Sequence, residues 1–198
     1  MRKIILASKS KARKKLLQQI GLRFSVAESH LKEKRLLRTS CRRLVIGNAL
    51  AKARDVAARY KKGVVIAADT VVLVDGKIIG KPGNIKKAFK MLKLLSRQPP
   101  WVYTGLAVID IDHDKIFTDY EKTRIYLIPL TDAEIRNYLK KTSPLDKAGS
   151  FDIQGLGGIF IDRIEGCFYN VVGLPLSKLA SILKKLNLPW PAGKSLAG

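Results

Sequence analysis

One run constrains the fold of this 198-residue chain more than any other. Val64-Val65-Ile66-Ala67-Ala68-Asp69-Thr70-Val71-Val72-Leu73-Val74 is so rich in apolar β-branched residues that it reads as a buried strand, or as two strands meeting at a break. Asp69 stands alone in it. An unpaired carboxylate in such a setting costs on the order of several kcal/mol. A cation, a metal ion or a catalytic task is therefore expected to meet it. The plain alternative is an aspartate that caps a turn at a strand end and is satisfied by local amides.

The rest of the chain supplies helices and hairpins around that run. Lys3 to Ala7 predicts a first strand, and Ser8-Lys9-Ser10 leads into a helix through Ile20, closed by Gly21. Phe24-Ser25-Val26 suggests a short strand, and the charged segment 27–38 a loop. Thr39 or Ser40 opens a long helix to about Tyr60, with Leu44, Val45, Asn48, Ala49 and Lys52 at helical spacing. Val74-Asp75-Gly76-Lys77 carries a hairpin signal, because Asp-Gly accepts the positive φ such turns need. Asn84 caps a helix to about Leu95, and two strands, 102–111 and 115–128, follow. Thr131-Asp132-Ala133-Glu134 is a capping box for a helix to about Lys141. A last helix runs from near Pro175 to near Leu186. This order mixes hairpins with βα units and predicts an α/β fold, a mixed sheet flanked by helices. Residues 1–188 read as a single domain, and the Pro/Gly/Ala-rich stretch 189–198 as a frayed tail.

Apolar content of 46% with 27% charged residues is that of a folded chain. No apolar run approaches the roughly 20 residues of a membrane span, and Ile4 to Ala7 is too short for a signal-peptide core, so a cytoplasmic location is expected. Cys41 and Cys167 lack metal-ligand spacing, and His30 and His113 stand apart in expected loops. The net charge is +22, and residues 1–62 carry +16 of it, with 19 Lys/Arg against Glu28, Glu33 and Asp55. Such a surface attracts polyanions: nucleic acid, acidic membrane or nucleotide phosphates. Generally basic, solvated faces would give the same excess.

Several residues could carry chemistry. Leu6-Ala7-Ser8-Lys9-Ser10-Lys11-Ala12-Arg13 places free amides, two hydroxyls and Arg13 at a helix start, an anion seat. Gly80-Lys81-Pro82 returns a lysine toward Asp69 after the hairpin. Lys52 lies near an inward helix face, where it either snorkels outward or neutralises Asp69 or a phosphate. Six of the 15 glycines fall between Gly149 and Gly173. Gln154 among them is a candidate reader of a uracil or thymine edge, since its amide both donates and accepts; a structural bend is the alternative.

Together these segments resemble the Maf family, the septum-formation-inhibitor-like nucleoside triphosphate pyrophosphatases. The resemblance is carried by Leu6-Ala7-Ser8-x-Ser10, Ala51-Lys52-Ala53, Ala67-Ala68-Asp69-Thr70-Val71-Val72, Gly80-Lys81-Pro82 and Met91-Leu92-x-x-Leu95-Ser96. It continues in Pro144-Leu145-Asp146-Lys147-Ala148-Gly149, Ile153-Gln154-Gly155-Leu156-Gly157-Gly158 and Val172-Gly173-Leu174-Pro175-Leu176. The Asp-Lys-Ala-Gly and Ile-Gln-Gly pieces look like the branch acting on dTTP and UTP.

The resemblance implies an elongated mixed sheet in two lobes with a central cleft, the fold of the inosine triphosphate pyrophosphatases. It implies hydrolysis of dTTP and UTP, or of modified pyrimidine nucleotides, to monophosphate and pyrophosphate with a divalent cation (Mg²⁺ or Mn²⁺), a nucleotide-pool sanitising role. By matching position, Asp69 is the proton acceptor or a metal ligand, and Glu33 helps with the metal. Arg13, Lys52 and Lys81 hold phosphates, Ser8 lies on the phosphate turn, and Thr70 and Gln154 set base preference. Two departures stand out. Ser10-Lys11-Ala12-Arg13 replaces the usual Ser-Pro-Arg-Arg, so the first motif arginine is Ala12, a change that bears on specificity more than on catalysis. Ala68 replaces a usual glycine. A broad pyrophosphatase for non-standard nucleotides is the alternative within enzymes, and a basic nucleic-acid-binding module the alternative outside them. A homodimer and a secondary nucleic-acid affinity are compatible with either.

Overall fold

The computed structural model describes residues 2–31, 33, 40–142 and 148–188. Residues 143–147, the tail from Pro189 and half of the expected 27–38 loop lie outside them. The described elements are β1 (Ile4–Leu6), α1 (Lys11–Gln19), β2 (Ser25–Val26), α2 (Cys41–Ala57), β3 (Val64–Val74), β4 (Lys77–Ile79), α3 (Ile85–Leu95), β5 (Trp101–Asp110), β6 (Lys115–Leu127), α4 (Asp132–Lys141), β7 (Ile161–Glu165), α5 (Phe168–Val172) and α6 (Leu176–Lys185). Short 3-10 turns occupy Ala148–Ser150 and Leu156–Phe160.

The seven strands form one mixed sheet in the order β2-β1-β3-β5-β6-β7, with β4 also paired to β3. β3 is a single unbroken strand of 11 residues, not two meeting at Asp69. Antiparallel pairing with β5 runs from Val64↔Asp110 to Leu73↔Trp101 without a register shift, so Asp69 and Thr70 sit in a continuous ladder opposite Gly105 and Thr104. The β3–β4 hairpin turns at Asp75 (φ 48°) and Gly76 (φ 68°), both left-handed as a two-residue hairpin loop requires.

The other edge of β3 has two partners with a space between them. β1 pairs in parallel up to Leu6↔Ile66, and β4 pairs antiparallel from Val72↔Ile79 onward. Among the described residues no strand pairs with that edge at 67–71, a stretch of roughly 17 Å at strand rise. The chain leaves β1 there into Ser8-Lys9-Ser10 and α1. It leaves β4 there as well, because β4 runs back toward the Asp69 level before Gly80-Lys81. A gap at the end of a parallel strand, where neighbours diverge, is where open α/β sheets take ligands.

Alternation along β3 divides the core between two faces. Even-numbered Val64, Ile66 and Ala68 pack with Leu16 and Leu17 of α1 and with Leu179 and Leu183 of α6. Farther along that face, Val72, Val74 and Val102 pack with α3 and α4 through Leu92, Leu95, Ile135 and Tyr138. The two clusters lie at opposite ends of β3 on one face of the sheet. On the odd-numbered face, α2 is the covering helix: Ala49, Ala53 and Val56 sit on Val65 and Ala67, and Leu44 and Val45 on Val71. Gly105 makes this close approach possible. A Cβ there would lie 2.3 Å from the carbonyl carbon and oxygen of Val45.

Candidate active site

Burial and charge meet at Asp69. Its side chain lies on the α2 face and the residue is 1% exposed. It faces Asn48 and Lys52, one helical turn apart on α2 and both buried; Asn48 Nδ2 donates to Asp69 Oδ2 at 2.8 Å and Lys52 Nζ to Asp69 Oδ1 at 3.2 Å. Lys52 Nζ also donates to Glu33 Oε1 at 2.8 Å. The helix settled on Gly105 is what brings residues 48 and 52 over residue 69. Of the two readings open for Lys52, the inward one is realised: it is 8% exposed and bridges two carboxylates. The expected companion of the acid is present, and the turn-capping alternative falls because Asp69 is mid-strand.

Burial holds the Asp69 carboxyl above the usual aspartate range. The Lys52 ammonium and the Asn48 hydrogen bond pull it back, while the charge of Glu33 and a hydrogen bond with it push it further up. The net direction is upward, which makes Asp69 a stronger proton acceptor than an ordinary aspartate.

Thr70, the next residue, projects to the opposite face and a different set of partners. Arg13 donates through Nε to the Gly173 carbonyl at 2.7 Å, through one terminal nitrogen to Thr70 Oγ1 at 2.9 Å and through the other to Ser8 Oγ at 3.3 Å. Ser8 Oγ also accepts from the Ser10 amide at 3.2 Å, and Ser10 caps α1 by accepting from the Arg13 amide. Behind Thr70 the chain of contacts runs on. Thr104 Oγ1 lies 2.9 Å from Thr70 Oγ1 and donates to the Asn170 carbonyl; the Asn170 amide donates to Val102 O and Thr123 Oγ1. The Gly173 carbonyl and the Thr70 and Ser8 hydroxyls thus hold the Arg13 guanidinium over β3.

A model described as Maf-like protein matches residues 3–186 of the chain. The chain belongs to the Maf-like protein family. A dTTP/UTP pyrophosphatase of Methanosarcina barkeri (strain Fusaro / DSM 804) is 45% identical over 189 residues, covering 95% of this chain and 96% of its own length. One from Clostridium tetani is 42% identical over 187 residues, 93% of this chain and 97% of that protein. A third, from Caldicellulosiruptor saccharolyticus, is 41% identical over 198 residues, 98% of this chain and all of its own. The Staphylococcus aureus Ham1 structure covers 93% of this chain at a TM-score of 0.49 with 15% identity.

Within this Maf-like chain the fold brings six of the named residues into two sets joined through β3: Asp69, Lys52 and Glu33 on one face, Thr70, Arg13 and Ser8 on the other. Lys81 and Gln154 are not drawn into either. Lys81 is exposed just past β4, beside the gap in the sheet edge, with no hydrogen bond or ion pair among the described residues. Gln154 is exposed in a turn where its backbone amide donates to Asp152 Oδ1 at 3.1 Å. Its segment approaches the gap through the Gly149 amide, 3.4 Å from the Gly80 carbonyl. The hydroxyl of Thr70, expected at the base, is engaged by Arg13 and Thr104.

Sequence reasoning passes over Asn48, Thr104, Asn170 and Gly105. Asn48 carries a signal, a polar residue at the inward spacing of α2; Thr104 and Asn170 look ordinary until the strands are paired. Glu33 Oε1 and Asp69 Oδ1 converge on one point, the Lys52 ammonium. Glu33 and Asp69 are the carboxylates that could hold a hard divalent ion here, with water and phosphate supplying the rest of its shell. Among the described residues no group of three or more His, Cys, Asp or Glu side chains could hold a metal alone. No helix among the described residues is long and apolar enough to cross a membrane.

Proposed function

We propose that this Maf-like enzyme is a nucleoside triphosphate pyrophosphatase acting on dTTP and UTP, releasing the monophosphate and pyrophosphate. The observation that carries this reading is the buried Asp69 with its raised proton affinity beside the gap in the β3 edge, in a chain whose near full-length relatives bear that activity in their names.

Water attacks the α-phosphorus, and its proton passes to Asp69 as the new P–O bond forms and the bond to the β-phosphate oxygen breaks. A carboxylate whose proton affinity burial raises is suited to this step. Arg13 meets phosphate oxygens from the Ser8 turn, with the α1 N-terminus behind it. Lys52 offsets the charge left near Asp69, and Lys81 closes on the phosphates from the other side of the gap. Glu33 and Asp69 would hold the divalent cation, which when bound supplies charge neutralisation to the departing pyrophosphate. Positioning and fixed charge provide most of the rate, as in phosphoryl transfer generally. The setting is nucleotide sanitation in the cytoplasm.

Ala12, in place of the first motif arginine, favours a second reading in which non-standard or modified nucleotides are also accepted. A panel of dTTP, UTP, CTP, 7-methyl-GTP, dITP and modified pyrimidine triphosphates, with Mg²⁺ or Mn²⁺ and scored for pyrophosphate release, separates the two. Preference for dTTP and UTP supports the first, even turnover across the panel the second. No release from any member refutes both.

A further inference from the structure

We propose that the end of the sheet's α2 face around Trp101 and Arg124 is a docking strip for single-stranded nucleic acid, separate from the nucleotide site. Along β6, Tyr120, Lys122, Arg124 and Tyr126 follow one another at every second residue, so all four point to one face about 7 Å apart. Trp101 of β5 pairs with Arg124 and lies on the same face. Rings and cations interleave: Arg42 lies 4.8 Å from the Tyr120 ring centre and Lys122 Nζ 5.0 Å from that of Trp101. The Arg124 guanidinium sits between two rings, 5.3 Å from Trp101 and 5.4 Å from Tyr126. The cluster under the start of α2 takes in Val71, Leu73, Ile78, Tyr103 and Tyr120, and among the described residues Trp101, Lys122, Arg124 and Tyr126 lie beyond it.

Arg124 is the key to the strip. It has no carboxylate partner among the described residues, and its Nε is buried without an acceptor. It lines an open groove with Arg97, Gln98, Trp101, Leu73 and the Asp75-Gly76 turn. Farther along, Arg163 stacks 3.8 Å over Tyr126 but is drawn to Asp162 at 2.9 Å and Glu165 at 3.8 Å. The uncommitted positive charge therefore lies at Lys122 and Arg124.

A row of cations with flat rings at strand spacing matches a chain that carries one phosphate and one base per repeat. Single strands bind in this way, phosphates on the cations and bases on the rings, without sequence preference. A second copy of this chain is a poor occupant. A two-fold contact would set Arg124 and Lys122 against themselves on a molecule of net charge +22. Leu73, the partner of Trp101, is four residues from Asp69 on the same face, roughly 14 Å along β3. Strand and nucleotide are thus held by different residues.

The test is anisotropy of the full chain with a labelled uridine-rich RNA of about 12 nucleotides, at roughly 50 and 200 mM salt. Lys122→Glu with Arg124→Glu is expected to weaken binding at least about tenfold and leave pyrophosphate release unchanged. Lys184→Glu with Lys185→Glu, an equal charge change on α6, is expected to shift it by less than about twofold. Equal loss in both pairs, no binding at the lower salt, or capture by anionic phospholipid vesicles without RNA binding overturns the proposal. A Trp190→Phe variant leaves Trp101 as the sole tryptophan. Its emission is expected to be quenched at saturating RNA, and unchanged emission would overturn the strip even if the charge variants misfold.

Discussion

Consecutive residues of β3 point to opposite faces of the sheet, and the fold treats Asp69 and Thr70 in opposite ways. Asp69 is a buried charge held under α2 by an ammonium and an amide, with a second carboxylate on the same ammonium. Thr70 is a neutral hydroxyl in a chain of oxygens whose task is to fix Arg13. Removing charge should therefore matter on the first face, and removing hydrogen-bonding oxygens on the second. The first face stores proton affinity, the second stores geometry.

The largest expected effect lies on the charged face. Asp69→Asn should lower kcat by about 10²- to 10⁴-fold, the range a positioned general base supplies. Its thermal stability should hold or rise. A carboxyl whose folded-state affinity for protons is raised contributes stability at low pH and loses it as pH climbs through the folded-state pKa. The amide escapes that loss. A variant that is inactive because it is unfolded would break the contrast.

Lys52→Met comes next. It leaves Asp69 buried without its counter-charge, and about 3 kcal/mol of destabilisation is expected at pH 8 by denaturant unfolding. The deficit should shrink as pH falls, because a neutral carboxyl needs no ammonium. A pH-independent deficit would show that Lys52 serves packing alone. Gly105→Ala is expected to cost about 2 kcal/mol, since the added Cβ meets the Val45 backbone and lifts α2 off the sheet. Activity should fall with it, as Asn48 and Lys52 move away from Asp69.

The smallest effect belongs to the neutral face. Thr104→Val keeps shape but removes the link between Thr70 and the Asn170 carbonyl. A loss of about 1 kcal/mol is expected, read as a several-fold rise in KM with kcat nearly unchanged. Thr104→Ser should restore KM. A fall in kcat alone would move Thr104 out of the arginine's support and into the chemistry.

The charged face is largely legible in the amino-acid sequence. An acid in an apolar run announces a partner, and Lys52 at inward helical spacing is a fair candidate for it. The neutral face is not legible there, because Thr104 and Asn170 gain their meaning only when β5, β6 and α5 are brought side by side. β7 is equally hidden. Ile161-Asp162-Arg163-Ile164-Glu165 lacks alternation, and its strand form comes from pairing with the edge of β6 across a register shift at Tyr126/Leu127. α5 is a single short turn of helix without a side-chain cap, too brief for periodicity to show. The α2 boundary is set by Ser40, whose hydroxyl accepts from the Arg43 amide.

The pH dependence of kcat/KM tests the central claim most directly. With burial raising the Asp69 carboxyl, the acidic limb should fall above the ordinary aspartate value of 3.8, as a property of the Asp69–Glu33 pair. It should vanish from the residual rate of Asp69→Asn. A limb at the ordinary carboxylate value, or one unchanged in that variant, would contradict Asp69 as the base.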